Sequence, residues 1–241
     1  MQVDICIPIY NEEKILVDST HKLFAFCQSA IKNCDWRIVL LINGSSDNSE
    51  KLAQKLSIEN NLIKTVVYKE GGRGYALRRY WQESEANIFC YMDSDLAVSL
   101  EVLPKLINPL LENQAELVIG SRYVKGAKIQ RGLIREIISR GYSFLTQLIL
   151  KNPQKDLQCG FKAISKIAFT KLTDYAKSPG WFFDTELISW ANAKKMKVVE
   201  IGVDWQETRF DQRHSTVRLS DIIQDFFFPM FELRKKIKAA K

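Results

Sequence analysis

Two aspartates, Asp93 and Asp95, stand one residue apart directly after the apolar run at residues 87–92. A β-prone run that ends in carboxylates is typical of a buried strand that reaches a polar rim. Two carboxylates this close repel each other unless a cation lies between them. Mg²⁺ and Mn²⁺ take such oxygen ligands together with substrate phosphates. The triplet Asp93-Ser94-Asp95 therefore predicts a metal site for a diphosphate, although the same triplet also occurs in solvent-exposed turns.

The elements that must position these carboxylates alternate between strands and helices along the chain. Apolar β-prone runs predict strands at residues 3–8, 36–42, 62–68, 87–92, 117–120 and 198–203. Between and after them, helical patterns begin at Asn11, read as an N-cap, and cover residues 50–56, 75–85, 102–111, 133–150, 169–175 and 182–193. This alternation predicts an α/β fold with a mostly parallel sheet flanked by helices.

Polar loops follow the first four predicted strands, at residues 10–12, 43–47, 71–74 and 93–95. Ligands of such sheets bind outside the carboxyl ends of the strands, so we expect these loops to form one site. Neither the G-x-x-x-x-G-K-[ST] loop nor a complete dinucleotide fingerprint is present. A nucleotide would instead need the metal and basic side chains such as Arg73 and Arg122, although each arginine could equally form a structural ion pair.

Composition excludes some classes of protein and leaves others open. The chain of 241 residues has a net charge of +7, which suits an anionic partner such as a nucleotide, a phospholipid surface or a nucleic acid. Its five cysteines are scattered without a Cys-x-x-Cys pair, which predicts reduced core thiols in a cytoplasmic protein. No secretion signal is apparent, and uncharged stretches such as residues 141–150 are too short to cross a bilayer.

Two regions are strongly basic. One, at residues 122–140, contains Arg122, Lys125, Lys128, Arg131, Arg135 and Arg140 against a single acidic residue, Glu136. The other is the tail at residues 221–238, which combines Phe226, Phe227, Phe228, Met230 and Phe231 with Arg234, Lys235, Lys236 and Lys238. This tail predicts an interfacial helix on anionic lipid, but packing into the core or a dimer contact is an equal alternative.

Six short motifs together resemble family 2 glycosyltransferases, and most of all the polyprenyl-phosphate branch with its dolichyl-phosphate glucosyltransferases and dolichol-phosphate mannose synthases. In chain order they are Pro8-Ile9-Tyr10-Asn11-Glu12, Asn43-Gly44-Ser45-Ser46-Asp47, Asp93-Ser94-Asp95, Gly120-Ser121-Arg122-Tyr123, Gln158-Cys159-Gly160-Phe161-Lys162 and Trp181-Phe182-Phe183-Asp184-Thr185-Glu186. The resemblance implies a GT-A domain over residues 1–217, followed by an amphipathic basic helix at residues 218–241 that could contact a membrane.

The resemblance also assigns residues to roles. The nucleotide would contact Pro8, Tyr10, Glu12, Asn43, Arg73, Gly74 and Asp93, and Asp93 and Asp95 would hold Mg²⁺ or Mn²⁺. The acceptor phosphate would contact Arg122, Arg131, Arg135, Ser139 and Arg213, and the catalytic set would be Asp95, Arg122, Asp184 and Glu186. Asn43 stands where the family usually has aspartate, which leaves uracil or guanine open as the base. Ser215-Thr216 replaces the family's Ser-Lys.

These roles imply an inverting, metal-dependent transfer of a hexose from a UDP- or GDP-sugar to a polyprenyl phosphate, at the cytosolic face of a membrane. A phosphate acceptor is already ionised near neutral pH and needs no strong base. A glycan hydroxyl would need Asp184 or Glu186 as its base, although this pair also suits the start of a helix. Formation of a homo-oligomer stays open.

A nucleic-acid-binding module is the alternative from a different class of protein. The basic stretch at residues 122–140 would then bind phosphates in a salt-dependent way. This alternative offers no role for Asp93 and Asp95, so no nucleic-acid partner is expected.

Overall fold

The structure is a computed structural model that describes residues 1–130, 132–206 and 226–240, without the side chains of residues 133–135. Its strands are β1 (Gln2–Ile9), β2 (Asp35–Asn43), β3 (Ile63–Tyr68), β4 (Ile88–Met92), β5 (Leu117–Ser121), β6 (Lys128–Gln130), β7 (Phe161–Ser165), β8 (Val198–Gly202) and β9 (Asp204–Gln206). Seven of them form one sheet in the order β3-β2-β1-β4-β7-β5-β8. Only β7 in this sheet runs antiparallel to its neighbours, β4 and β5. The predicted mostly parallel sheet is confirmed.

Helices cover both faces of the sheet. They are α1 (Leu16–Ala30), α2 (Ser49–Glu59), α3 (Arg73–Glu83), α4 (Leu103–Leu111), α5 (Leu133–Leu150), α6 (Lys166–Leu172), α7 (Phe183–Ala193) and α8 (Phe228–Ala239). Side chains of α1, α2 and α4 share one buried apolar cluster, and those of α3 and α5 to α8 share another. The inner strands of the sheet are buried on both faces and are mostly apolar, as in β4, whose five residues are all buried.

The first helix begins later than the sequence predicts. Asn11 is not its N-cap, because α1 begins at Leu16 and Ile15 is the capping position. Asn11 instead takes a left-handed backbone conformation, with φ of 55°. Its side-chain oxygen accepts hydrogen bonds from the backbone N–H groups of Ser46 (2.7 Å) and Asp47 (3.3 Å). The asparagine thus stabilises the loop after β2, which a local capping argument could not reveal.

The position of α8 bears on the alternatives for the basic tail, which are contact with lipid and packing into the core or a dimer contact. In α8, Met230 and Leu233 are buried against the cluster that contains α5 and α7. The ring of Phe226 lies 5.2 Å from that of Tyr142 and 6.4 Å from that of Phe182. One face of α8 therefore packs on the domain, and residues 218–225 of the predicted tail lie outside the described residues. Within the described ranges, no helix combines the length and the apolar character that a membrane span requires.

Candidate active site

Two loops at the carboxyl edge of the sheet are joined by side chain to backbone hydrogen bonds. The backbone N–H of Glu12 donates to Oγ of Ser49 (2.9 Å), and that of Glu13 donates to Asp47 (3.1 Å). In return, Glu13 accepts the backbone N–H of Asn48 at 3.0 Å. These contacts fix the loops after β1 and β2 relative to each other. They hold Pro8, Tyr10 and Glu12, the predicted nucleotide contacts, at one rim, where Tyr10 is exposed.

Asn43 ties three backbone segments together at the end of β2. Its side-chain amide donates to the carbonyl of Ile9 (2.9 Å), and its side-chain oxygen accepts the N–H of Gly72 (3.2 Å). Asn43 is buried, so both ends of the carboxamide are used inside the protein. An aspartate lacks the donor that the Ile9 carbonyl requires. The side-chain amide of Asn43 therefore has a structural role. Its contact with the nucleotide base stays a prediction.

We expect Asn43→Asp to destabilise the fold by about 1–3 kcal/mol, because the change places a carboxylate against the Ile9 carbonyl, which loses the amide donor and keeps only the longer bond from the Ser45 hydroxyl (3.3 Å). Urea unfolding followed by circular dichroism measures this loss. Asn60→Asp is the matched control, since Asn60 uses its side-chain oxygen to accept the N–H of Leu62 (2.9 Å), which an aspartate can also do. Equal stability of the two variants would contradict this role of Asn43.

The glycine-rich loop before α3 packs tightly against the segment that precedes α7. Gly72 has φ of 130°, a conformation that side chains rarely adopt. A Cβ atom on Gly74 would overlap the Ser178 carbonyl and the Phe183 side chain. Only glycine fits at this second position. Gly74, in the first turn of α3, thus lets the start of this helix lie close against the segment that precedes α7.

Glu186 stabilises the same segment from the first turn of α7. Its carboxylate accepts the backbone N–H groups of Lys177 (2.8 Å) and Ser178 (2.6 Å). The adjoining Pro179 carbonyl accepts the N–H of Tyr75 in α3 at 2.9 Å. Glu186, one of the two predicted bases, therefore bonds to the loop that covers the glycine-rich turn.

Asp184, the other predicted base, is fully buried and lies at the centre of a charged cluster. One carboxylate oxygen accepts a hydrogen bond from Tyr91 and lies 3.0 Å from Nζ of Lys162. The other oxygen pairs with Nη2 of Arg73, whose Nη1 reaches Oδ1 of Asp93 at 3.2 Å. Both oxygens of Asp184 are thus engaged by protein groups. The cluster connects Asp184 to the aspartate that the sequence assigns to a metal.

The charges in this cluster shift the ionisation of its members. Burial raises the pKa of Tyr91 well above its ordinary value, and the adjacent Asp184 raises it further, so Tyr91 stays a protonated donor. The partial burial of Asp93 raises its pKa, and Asp95 and Asp184 add to this, while Arg73 opposes it. Burial lowers the pKa of Arg73, but the carboxylates of Asp184 and Asp93 more than compensate, so Arg73 stays cationic. Asp93 therefore lies where added positive charge is favourable.

Lys162 and Tyr91 carry parts of this site that the sequence analysis did not assign. They stand opposite each other on the antiparallel neighbours β7 and β4. Lys162 is almost completely buried within the otherwise apolar run Phe161-Lys162-Ala163-Ile164. A lysine in the middle of a buried strand needs an ionic partner, and that pattern is the signal that could have identified it.

Asp93 and Asp95 fit the predicted metal site. The side chain of Asp93 is 37% exposed, and Asp95 is partly exposed and accepts the N–H of Ala97 at 3.2 Å. A Cβ atom on Gly160 would overlap the Asp93 carboxylate, so glycine at this position makes room for it. The described residues contain no cluster of three or more acidic, cysteine or histidine ligands. Two carboxylates that leave further positions to a diphosphate and water suit Mg²⁺ or Mn²⁺.

Arg122 has a buried partner that the sequence analysis did not name. Its Nε lies 2.7 Å and its Nη2 2.9 Å from the two oxygens of Asp156, and its backbone N–H donates to the same carboxylate. Burial raises the pKa of Asp156, but Arg122 outweighs this and holds the pKa below its usual value. Arg122 had two alternative roles, a contact with phosphate or a structural ion pair, and the structure shows the ion pair. Its contact with an acceptor phosphate stays a prediction.

The remaining acceptor residues are less constrained. Ser139 lies on α5 and is partly exposed. Arg131, Arg213 and the replaced Ser215-Thr216 motif lie outside the described residues, as does the side chain of Arg135. The described part of the chain thus brings together Arg73, Asp93, Asp184 and Lys162, and it leaves the acceptor set as a prediction.

Comparison with known proteins agrees with the resemblance that the sequence motifs indicate. Residues 4–173 match the family model described as Glycosyl transferase family 2. Glycosyltransferase AglD of Haloferax volcanii is 29% identical over 219 residues, which cover 90% of this chain and 35% of that protein. Dolichol-phosphate mannosyltransferase of Pyrococcus furiosus is 34% identical over 169 residues, or 69% of this chain and 47% of that protein. Human dolichyl-phosphate beta-glucosyltransferase is 29% identical, with coverages of 86% and 68%. The chain thus spans from about a third to two thirds of the length of these relatives.

Among solved structures, glucosyl-3-phosphoglycerate synthase of Mycobacterium tuberculosis, in complex with Mn²⁺, UDP and glucosyl-3-phosphoglycerate, has a TM-score of 0.68. The match covers 97% of this chain and 79% of that one at 17% identity. At this identity the likeness concerns the fold, and it confirms the predicted GT-A architecture.

Proposed function

The chain belongs to glycosyl transferase family 2, and from this premise we propose that it moves a hexose from a UDP- or GDP-sugar to a polyprenyl phosphate, with inversion and with a divalent metal. That the chain is a glycosyltransferase follows from its family, whereas donor, acceptor and metal are part of the proposal. The observation that carries the proposal is the pair Asp93 and Asp95 at the end of β4, beside the buried cluster around Asp184.

Each part of this site has a task in the proposed reaction. Asp93 and Asp95 would hold Mg²⁺ or Mn²⁺, which neutralises charge on the departing nucleoside diphosphate. Arg73 is held beside Asp93 by Asp184 and can place its guanidinium on phosphate oxygens. Lys162 keeps Asp184 paired from the side of β7, which fixes Arg73 in position. The rim around Tyr10 would bind the nucleoside.

The contacts of Asp184 and Glu186 favour a phosphate acceptor over a glycan hydroxyl. A hydroxyl must lose a proton to a base, but both oxygens of Asp184 are engaged by protein groups, and one oxygen of Glu186 accepts two backbone N–H groups. A phosphate acceptor is ionised already. The relatives named for dolichyl phosphate and dolichol phosphate support this acceptor class. We expect transfer to a short polyprenyl phosphate and none to a free oligosaccharide, and the reverse result would favour the hydroxyl alternative.

An apolar surface on α5, the helix whose Tyr142 bonds to Thr185 next to Asp184, supports action on a lipid. On α5, Ile137, Phe144 and Leu148 follow helical spacing along one face and are 70%, 64% and 61% exposed. The adjacent α8 exposes Phe228 and Phe231, with Lys235 and Lys238 continuing the same helical face. Exposed apolar residues with lysines beside them suit an anionic bilayer surface. We propose that α5 and α8 contact the membrane that carries the acceptor.

Replacing Phe144 and Leu148 with serine is expected to weaken binding to vesicles of phosphatidylcholine and phosphatidylserine by about tenfold or more, because two apolar side chains no longer leave water. Co-sedimentation without donor or acceptor measures this binding. Ile58→Ser is the control, since Ile58 is 86% exposed on α2, across the sheet from α5. Unchanged vesicle binding by the double variant would contradict the proposed membrane surface.

A further inference from the structure

Arg73 places a cation on the carboxylate that is proposed to bind the metal. Its side chain is only 7% exposed, and its Nη1 lies 3.2 Å from Oδ1 of Asp93. Nη2 pairs with Asp184 on the opposite side, and the guanidinium carbon stacks 4.0 Å from the centre of the Trp181 ring. The guanidinium therefore has one deeply buried anchor and one contact at the edge of the site.

The two contacts of Arg73 differ in strength. Asp184 is fully buried and keeps Lys162 and Tyr91 as partners, so this end of the bridge is enclosed by protein. Asp93 is partly exposed, and its contact is more easily replaced by another cation. If Arg73 moves, it is the contact with Asp93 that yields.

A buried donor of Arg73 is also unsatisfied. Among the described residues, its Nε has no hydrogen-bond partner although it is shielded from solvent. A buried N–H without an acceptor is unfavourable, which indicates that this arrangement of Arg73 does not use its full donor set. A diphosphate offers several acceptor oxygens in the geometry of an arginine fork.

We propose that Arg73 is an internal counter-ion, which occupies Asp93 in the free enzyme and moves to the donor diphosphate when metal and nucleotide arrive. The inference rests on the proposed function, because it assumes the same metal and the same nucleotide-sugar donor. A divalent cation on Asp93 repels the guanidinium, and the diphosphate gives the guanidinium a new partner while Asp184 keeps its anchor. Metal and nucleotide therefore strengthen each other's binding, and Arg73 is the positioning residue that couples them.

The coupling can be measured without any sugar transfer. The free Mn²⁺ signal in electron paramagnetic resonance gives the Mn²⁺ affinity of the protein alone and with UDP or GDP. For the wild type we expect weak Mn²⁺ binding alone and about tenfold or greater strengthening by one of the nucleotides. Arg73→Gln should bind Mn²⁺ alone about fivefold more tightly, because no guanidinium competes for Asp93. The increase in the Mn²⁺ affinity of this variant on addition of nucleotide should be correspondingly smaller.

Two further variants separate this role from simpler ones. Arg73→Lys keeps the charge but cannot span Asp93 and Asp184, so it should restore part of the coupling. Arg79→Gln removes an arginine from the same helix, where it pairs with Glu83 at 2.6 Å, and should behave as the wild type. Thermal unfolding establishes that each variant is folded. If Arg73→Gln does not fold, the coupling is measured by comparing the Mn²⁺ affinities of the wild type and Arg73→Lys, each with and without nucleotide.

Equal Mn²⁺ affinity of folded Arg73→Gln and the wild type would overturn the proposal and make Arg73 a permanent structural bridge. So would independent binding of Mn²⁺ and nucleotide to the wild type. A different failure belongs to the proposed function itself. If no protein binds Mn²⁺ in any arm, with or without nucleotide, the metal-dependent reaction is contradicted and the premise of this coupling is lost with it.

Discussion

Asp95→Asn is expected to reduce sugar transfer by at least about a hundredfold, because the variant keeps the shape of the side chain but loses the charge that would hold the proposed metal. The fold should survive the change. Asp95 is partly exposed, and asparagine can still accept the N–H of Ala97 with its side-chain oxygen. The initial rate of transfer over a range of Mn²⁺ concentrations, together with the unfolding temperature, measures both parts of this expectation.

Asp35→Asn provides the matched control for this experiment. Asp35 is exposed at the start of β2, at the opposite end of the strands from Asp95, and should tolerate the change without loss of rate. If Asp95→Asn retained the wild-type rate at saturating Mn²⁺, the carboxylate pair would not be the metal site and the proposed chemistry would lose its main support.

Asp184→Asn is expected to lower the free energy of unfolding by about 3–5 kcal/mol, the usual cost of breaking a buried ion pair. The variant leaves the cations of Arg73 and Lys162 buried around a neutral side chain. Urea unfolding measures the loss. Asp174→Asn is the control, because Asp174 is exposed in the turn after α6 and its replacement should cost little.

A second substitution tests whether the loss comes from the uncompensated cations. Lys162→Met removes one of them, so the double variant with Asp184→Asn should be less destabilised than the two single losses added together. A fully stable Asp184→Asn protein that fails only in transfer to a hydroxyl acceptor would instead identify Asp184 as a catalytic base, and would contradict the structural role described above.

The sequence was sufficient for the features that depend on local patterns. Buried strands that end in polar loops, such as β4 before Asp93, place the site at one edge of the sheet before any coordinates are known. The short pair β6 and β9 was not predicted, because three-residue strands show too few alternations to be distinguished from a loop. Asn11 was misassigned because its partners, Ser46 and Asp47, belong to a different loop.

The roles of charged residues depended on partners far away in the chain. Asp184 looks like a free carboxylate at a helix start, but its partner Arg73 is 111 residues distant. Lys162 meets Tyr91 across 71 residues, and Arg122 meets Asp156 across 34. No spacing rule connects such pairs, so the sequence could name the candidates without separating ligand contacts from internal ion pairs.

The tail shows a similar limit. Its apolar residues lie on more than one face of α8, with Met230 and Leu233 buried against the domain while Phe228 and Phe231 are exposed. The two alternatives offered for the tail, core packing and a lipid surface, therefore concern different residues of the same helix. Helical spacing alone cannot decide which face the domain covers, since both faces carry apolar side chains.

The most direct test of the proposed function is transfer of radiolabelled sugar from a panel of UDP- and GDP-hexoses to a short polyprenyl phosphate, with and without Mn²⁺ or Mg²⁺. We expect a lipid-linked product from at least one donor, formed only with the divalent metal and lost in Asp95→Asn. Absence of lipid-linked product with every donor, or equal product after removal of the metal with a chelator, would contradict it.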